Sequence, residues 1–297
     1  MRRITLILAL MLLSTFAMAQ EALVDGTWLK EKLGTQGLYI LDIQDPAQYK
    51  RYHVPGAINA PYGVWRTNRK SARPGMLPPQ KRVEEILSTL GISNNSTVVI
   101  VATGMGAGDM AAAGRVFWTL KTMGHEKVAV LNGGLAAYAN RFGGKLEAKP
   151  NYGGPTDYKG KLNRKLVADA DAVKAAVKDK IPLLDARTLG EFTGVVTAGK
   201  GKRGGTIPGS KHLPFDWFVG DDGFIRDKKA ATTLYKASGL DAGKDGTIHF
   251  CQSGNRASLS WFVDYAVLGN KNAKLYDASM GEWAAGKDLP METRIKF

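Results

Sequence analysis

Short apolar runs alternate with amphipathic segments along most of this chain. Runs dominated by apolar residues, as at positions 38–42 and 97–101, are bounded by turn-forming residues and predict buried strands. Between them, apolar residues recur at helical spacing, as at positions 83–90 and 168–177, and predict amphipathic helices. Strands that alternate with helices form a mainly parallel sheet with helices on both faces. The pattern therefore predicts an α/β fold.

This order of elements occurs twice along the chain. The predicted strand at 38–42 ends in an aspartate and is followed by a Pro-Gly turn. The predicted strand at 181–185 also ends in an aspartate and is also followed by a Pro-Gly turn. The strands at 97–101 and 247–251 also correspond, since each precedes a glycine-rich turn and a helical segment that contains a tryptophan. Corresponding segments of the two halves are about 150 residues apart, which indicates a duplicated domain.

The first residues of the chain stand outside this repeat. Arg2 and Arg3 precede an apolar run at 4–16 and then an Ala-Met-Ala sequence that ends at Ala19, a pattern typical of a secretory signal peptide. The apolar run is shorter than the roughly 20 residues that a membrane span needs. We therefore expect cleavage near Ala19, export to the periplasm and no stable membrane insertion afterwards.

These patterns divide the chain into four parts. The segment between the two copies is rich in glycine, lysine and proline and is predicted to be a linker. The predicted parts are the signal peptide (1–19), an N-terminal domain (20–145), the linker (146–162) and a C-terminal domain (163–297).

Charge and short motifs exclude several kinds of ligand. The formal net charge of +14 becomes +12 (14 − 2) without the two arginines of the signal peptide, and such a protein attracts anions. The lysines are spread along the chain, so we predict no nucleic-acid site. The four histidines lack metal-ligand spacing, and the glycine-rich segments 104–109 and 194–201 depart from nucleotide-binding motifs. We predict neither a metal nor a cofactor.

Cys251 is the single cysteine of the chain and the strongest indication of chemistry. It stands between a predicted strand, 247–250, and a predicted helix, 257–265. The unpaired N–H groups and the dipole at the start of a helix favour the reactive thiolate form of a cysteine placed there. An inert, buried cysteine is the alternative, which the polar neighbours disfavour. Small polar residues follow it and suit a tight loop that forms an anion nest: Gln252, Ser253, Gly254 and Asn255.

The length of this loop bears on the reaction. Four residues separate Cys251 from Arg256, one fewer than in the H-C-x5-R loop of cysteine phosphatases. A shorter loop makes a smaller cradle, which suits a single sulfur atom better than a tetrahedral phosphate. The spacing favours persulfide chemistry, with phosphate ester hydrolysis as the alternative.

The chain resembles the tandem-domain rhodanese family of sulfurtransferases over nearly all of its length beyond the signal segment. The resemblance rests on the sequence LLDARTLGEF at 183–192, the Ile-Pro-Gly-Ser sequence at 207–210 and the Cys251 loop, in the order that the family uses. It implies two rhodanese-like domains, of which the C-terminal one is catalytic. The N-terminal domain would be non-catalytic, because Val101 or Ala102 stands where the thiol would be.

The resemblance also implies a mechanism and a set of site residues. The Cys251 thiolate would take the outer sulfur of thiosulfate as a persulfide, and cyanide or another thiol would accept it. The backbone N–H groups from Gln252 to Arg256 would cradle that sulfur. Arg187 and Arg256 would hold the anionic end of the donor, and Asp185 would support the loop. A monomer would suffice for this chemistry.

The identity of the donor stays open in the sequence. Thiosulfate enzymes of the tandem type often carry a basic pair after the cysteine and mercaptopyruvate enzymes often carry Gly-Ser-Gly, whereas this loop reads Gln-Ser-Gly-Asn-Arg. The two arginines favour thiosulfate, which is a dianion. The alternatives are 3-mercaptopyruvate as the donor, or a persulfide carrier without turnover.

Overall fold

The computed structural model describes residues 21–68, 70–197, 203–243 and 246–295. The predicted signal peptide lies outside the described residues, as do positions 198–201 of the second glycine-rich segment. Within the described ranges, no helix is both long and apolar enough to cross a membrane.

Strands and helices alternate through both halves of the chain. Those of the N-terminal half are β1 (Leu23–Val24), α1 (Gly26–Lys32), β2 (Leu38–Asp42), α2 (Pro46–Tyr49), β3 (Ile58–Asn59), α3 (Gln80–Thr89), β4 (Thr97–Val101), α4 (Ala107–Thr122), β5 (Val128–Leu131) and α5 (Gly134–Asn140). Those of the C-terminal half are β6 (Val167–Ala168), α6 (Ala170–Asp179), β7 (Leu183–Asp185), α7 (Leu189–Thr193), β8 (Lys211–His212), α8 (Lys228–Ala237), β9 (Ile248–Phe250), α9 (Arg256–Phe262), β10 (Lys274–Tyr276) and α10 (Ser279–Trp283). Short 3-10 helices span Tyr62–Trp65, Arg164–Leu166 and Phe215–Phe218.

The two halves have the same topology. The strand order is β1-β5-β4-β2-β3 in one five-stranded sheet and β6-β10-β9-β7-β8 in the other. Each pair of neighbouring strands is parallel. The predicted α/β fold of two duplicated domains, each built on a parallel sheet, is confirmed.

Local sequence signals set where the elements begin. The first helix of each half starts at an aspartate N-cap, since Asp25 accepts the N–H of Trp28 and Asp169 accepts the N–H of Ala172, both at 2.9 Å. Strand β7 begins one residue after Pro182, because proline has no N–H to donate to the sheet. Strands β2 and β4 have the predicted bounds and pair in register from Leu38 and Thr97.

The two halves share one hydrophobic core. Helix α4 of the first half packs along α9 of the second, and the ring of Phe117 meets that of Phe262 edge-on at a centroid distance of 4.9 Å. The helices approach closely because position 114 is glycine, where a Cβ atom would lie 2.9 Å from the carbonyl oxygen of Ser258. Buried apolar residues of both halves form a continuous cluster there. The helix that follows Cys251 is therefore held by the N-terminal half.

The predicted linker runs along the N-terminal half and is fastened to it. The N–H groups of Thr156 and Lys161 donate to the carbonyl oxygens of Ser88 (3.0 Å) and Met123 (2.8 Å), and the side chain of Tyr158 is buried. The boundaries predicted for this segment stay a prediction.

The contact between α4 and α9 yields a stability test. Gly114→Ala places a methyl group against the backbone of Ser258, so we expect the free energy of unfolding to fall by about 1–3 kcal/mol. Gly108→Ala is the matched control, because it lies in the same helix with open space around it. We expect that control to be neutral or stabilising by up to about 1 kcal/mol. Urea unfolding measures both, and equal effects would contradict the close approach.

Candidate active site

Cys251 lies at the carboxyl end of the central strand β9, where ligands bind in parallel α/β sheets. Residues 251–255 form the loop that leads from this strand into α9, and we call it the cysteine loop. The residue is 1% exposed, so the thiol stands at the bottom of the loop rather than on the surface. The structure thus places the predicted nucleophile between strand and helix, as the sequence predicts.

Two carbonyl groups of the cysteine loop are bound by the start of α10. The carbonyl oxygens of Cys251 and Gln252 accept the N–H groups of Met280 (3.0 Å) and Gly281 (2.8 Å) at the start of α10. In a planar trans peptide the N–H points opposite to the C=O. The N–H groups of Ser253, Asn255 and Arg256 have no acceptor among the described residues. These N–H groups are available to an anion bound at the cysteine loop.

Ser279 joins the two ends of the cysteine loop. Its Oγ accepts the N–H groups of Cys251 (3.1 Å) and Gly254 (3.2 Å) and donates to the carbonyl oxygen of Tyr276 (2.7 Å). Its φ of +53° lies in the left-handed region that favours glycine, and Gly134 occupies the corresponding position of the first half with a φ of +61°. Sequence reasoning missed this residue. A serine where the repeat has glycine is the signal that could have found it.

Arg256 binds a carboxylate across the loop. Its two terminal nitrogens lie 2.7 and 2.8 Å from the carboxylate oxygens of Glu191, in α7. Glu191 also accepts the N–H and hydroxyl of Thr188 in a capping box. Burial alone would raise the pKa of Glu191. The hydrogen bonds and positive charge of Arg256, together with the hydrogen bonds of Thr188, instead lower this pKa to about 2. The positive charge of Arg256 is therefore compensated within the protein.

Arg187 is likewise bound to a carboxylate. Arg187 is 1% exposed, and its Nε and Nη2 donate to Asp185 at 2.6–3.1 Å. Nη2 also donates to the carbonyl oxygen of Gly205 at 2.8 Å. Asp185 accepts in addition the backbone N–H of Arg187 and the hydroxyl of Thr206 (2.8 Å). In the described chain, no hydrogen bond joins Asp185 to the cysteine loop. The donor-binding role of Arg187 and the loop-supporting role of Asp185 stay predictions.

Among the described residues, three side chains of the N-terminal half form hydrogen bonds with the cysteine loop. The hydroxyl of Tyr62 donates to Oδ1 of Asn255, and Nη2 of Arg66 donates to the carbonyl oxygen of Ser253 at 2.8 Å. Nη1 of Arg115 donates to the carbonyl oxygen of Gly254 at 3.2 Å. The partners in these contacts are separated by 193, 187 and 139 positions in the sequence, and no local sequence pattern predicts them.

Arg115 is buried directly behind the loop. It pairs with Asp277 at 2.5 Å, and its Cζ lies 4.6 Å from the ring centroid of Trp118. Gly254 has a φ of +72°, and a Cβ atom there would lie 2.6 Å from Nη1 of Arg115. Only glycine fits this position, both for its backbone conformation and for the space that Arg115 leaves.

In the corresponding loop of the N-terminal half, a carboxylate of α4 accepts one of the backbone N–H groups. Ala102 follows β4 as Cys251 follows β9, and α4 begins at Ala107 after a loop of the same length. Asp109 accepts the N–H of Met105 at 2.9 Å, so a carboxylate already occupies a donor of this loop. The first half therefore keeps the shape of the loop without a nucleophile.

The rhodanese-like domain profile matches this chain twice, over residues 25–141 and 169–286. These two stretches make up more than half of the chain. The chain belongs to the rhodanese family. It is a tandem-domain sulfurtransferase, and the predicted resemblance is confirmed.

Relatives and solved structures agree with this assignment. This rhodanese is 30% identical to a chain of Haloferax volcanii that is provisionally named a thiosulfate sulfurtransferase, over 92% of this chain and 97% of the other. A chain of Mycobacterium tuberculosis with the same provisional name is also 30% identical, over 92% and 98%.

Among solved structures, the 3-mercaptopyruvate sulfurtransferase SseA of Escherichia coli superposes with a TM-score of 0.75 at 24% identity, over 88% of this chain and 99% of the other. Tum1 of Saccharomyces cerevisiae gives a TM-score of 0.77 at 22% identity, over 93% and 99%. At these identities the similarity shows the fold alone.

The Glu191–Arg256 pair of this rhodanese can be tested through its pH dependence. Because the pKa of Glu191 is lowered, the pair stabilises the native state above about pH 4.5, and this stabilisation is lost as the pH falls towards 2. We expect Glu191→Gln to lower the free energy of unfolding by about 1–3 kcal/mol at neutral pH. The difference from the wild type should shrink steadily as urea unfolding is repeated below about pH 4.5.

Glu85→Gln is the matched control for this test. Glu85 pairs with Arg82 at 3.5 Å on the exposed surface, and such pairs contribute at most about 1 kcal/mol. A loss as large in this control, or a loss in Glu191→Gln that does not depend on pH, would contradict the role of the Glu191–Arg256 pair.

Proposed function

We propose that this rhodanese transfers sulfane sulfur from thiosulfate to a thiophilic acceptor, cyanide or a thiol, through a persulfide on Cys251. The observation that carries the proposal is the cysteine loop. It holds the single cysteine of the chain at its base, its carbonyl groups are bound by neighbouring residues, and N–H groups of three residues are left without acceptors in the described chain. Such a loop stabilises negative charge on a small, soft group.

In the first half-reaction, the Cys251 thiolate attacks the outer sulfur of thiosulfate. A new S–S bond forms, the S–S bond of thiosulfate breaks, and sulfite leaves with the electron pair of that bond. The anionic Cys251 persulfide remains. The N–H groups of Ser253, Asn255 and Arg256 are the donors available to its terminal sulfur.

In the second half-reaction, the carbon of cyanide attacks the terminal sulfur of the persulfide. A C–S bond forms, the persulfide S–S bond breaks, and the electron pair returns to Cys251 as a thiolate. Thiocyanate leaves. A thiolate acceptor reacts in the same way and leaves as its own persulfide, so the two substrates alternate in ping-pong kinetics.

Thiosulfate is favoured as the donor by the provisional names of the relatives. The similarity to the 3-mercaptopyruvate enzyme concerns the fold alone. We infer that the protein works in the periplasm after removal of residues 1–19. A lone thiol is open to oxidation in such a compartment, and a resting persulfide would protect it.

The persulfide yields a direct test. Intact-mass spectrometry of the protein mixed with thiosulfate should show a species heavier by one sulfur atom, and cyanide should remove that sulfur as thiocyanate. Cys251→Ser is the matched control and should show neither event. The absence of an adduct in the wild type with thiosulfate would overturn the proposal.

Two further outcomes distinguish the alternatives. An adduct formed from 3-mercaptopyruvate and not from thiosulfate would change the donor. Loading of one sulfur per chain without repeated thiocyanate formation would indicate a persulfide carrier rather than an enzyme.

A further inference from the structure

The charges around the cysteine loop do not match the needs of an anionic donor. Three arginines, two of them predicted site residues, are each paired with a carboxylate of the protein. The pairs are Arg187 with Asp185, Arg256 with Glu191, and Arg115 with Asp277. Binding a dianion requires positive charge that is not already compensated, because an ion pair has little net attraction left to offer.

Arg66 of the N-terminal half differs from these three arginines. Its Nε donates to the carbonyl oxygen of Gly75 at 2.8 Å, and its Nη2 donates to the carbonyl oxygen of Ser253 at 2.8 Å. Neither acceptor carries a charge. Among the described residues, no carboxylate lies within ion-pair distance of Arg66, which is partly exposed to solvent. Its positive charge is thus both uncompensated and accessible.

Arg66 also contacts the cysteine loop. Ser253 is two residues beyond Cys251, and Nη2 of Arg66 is 3.4 Å from its hydroxyl oxygen. The ring of Tyr62 lies 5.9 Å from the guanidinium carbon. Burial raises the pKa of Tyr62 most, the charges of Arg66 and Arg115 lower it, and negative charge on Cys251 raises it again. Tyr62 therefore lies within electrostatic range of both Arg66 and the thiol.

The position of Arg66 is fixed by the segment that follows it. Thr67 and Met76 join through a backbone hydrogen bond of 2.8 Å, and Gly75 donates to the carbonyl oxygen of Thr67 at 2.9 Å. This turn brings Gly75 against the guanidinium. A Cβ atom at Gly75 would lie 2.5 Å from Nη2, so glycine leaves the space that the arginine fills. The side chain is held in place before any ligand arrives.

We propose that Arg66, together with the hydroxyl of Ser253, binds the anionic end of the sulfur donor. This proposal rests on the proposed sulfur transfer. The sulfonate oxygens of thiosulfate would accept from the guanidinium and the hydroxyl while the outer sulfur faces Cys251. The half of the chain without a nucleophile thereby supplies the cation that recognises the substrate.

The test compares steady-state kinetics of two Arg66 variants. Arg66→Gln removes the charge and keeps a hydrogen-bond donor, and we expect the KM for thiosulfate to rise by about tenfold to a hundredfold. Inhibition by sulfite, which presents the same oxyanion, should weaken in parallel. The rate at which cyanide removes sulfur from preloaded protein should stay within about twofold, because that step needs no sulfonate contact. Arg66→Lys should restore part of the affinity.

Arg82→Gln is the matched control, since it removes an arginine from the exposed surface of α3, where it pairs with Glu85. It should leave the KM unchanged. A general loss of basic charge would instead raise the KM in both variants and would overturn the specific role of Arg66. An Arg66→Lys variant as impaired as Arg66→Gln would indicate a distorted loop and would also overturn it.

Gly75→Ala keeps the experiment decisive if Arg66→Gln does not fold. Its methyl group displaces the guanidinium without removing the charge, so the KM for thiosulfate should rise in the same direction. Normal persulfide formation with an unchanged KM in the folded variants would reject Arg66 and leave the sulfur transfer intact. A wild-type protein that forms no persulfide would reject the sulfur transfer itself.

Discussion

The cysteine loop is governed by one constraint, namely that each of its buried carbonyl groups needs a hydrogen-bond donor. A buried peptide oxygen without a partner is costly, and the peptide plane ties the direction of each N–H to that of the preceding C=O. Two of the donors are N–H groups at the start of α10, at Met280 and Gly281. The carbonyl groups of Ser253 and Gly254 are bound by Arg66 and Arg115 of the N-terminal half, and that of Asn255 is bound by Ser258 in α9. The inward N–H groups therefore depend on both halves of the chain.

This dependence explains why a half without a nucleophile retains a tightly packed interface. The two copies have the same strand order, but their central loops have diverged in opposite ways. In the first copy Asp109 occupies a donor of its own loop, whereas in the second Ser279 replaces the glycine of the repeat and binds both ends of the loop. The strained backbone at Ser279 costs about 1–3 kcal/mol and is offset by these hydrogen bonds. One copy became the support of the other.

The fold and the centre of the site could be predicted from the sequence because both depend on local sequence patterns. Apolar runs gave the bounds of β2 and β4, and the small polar residues after Cys251 gave the loop. The contacts of Arg66 and Arg115 could not be predicted, because they join positions 187 and 139 residues apart and depend on how α4 packs against α9. The position of Glu191, the carboxylate partner of Arg256, was easier to predict, because the Thr188–Glu191 capping box is a local sequence signature.

The pairing of Arg187 and Arg256 with carboxylates has a consequence for turnover. Thiosulfate and sulfite carry similar charge, so a site that held the donor with several uncompensated arginines would hold the product as firmly. Both guanidinium groups are held by fixed hydrogen bonds to their carboxylates, and such pairs add little net attraction for either anion. Under the proposed role of Arg66, a single accessible cation would position the sulfonate. Under the proposed mechanism, the loop would stabilise the persulfide chiefly through backbone N–H groups, which act on the sulfur that stays and not on the anion that leaves.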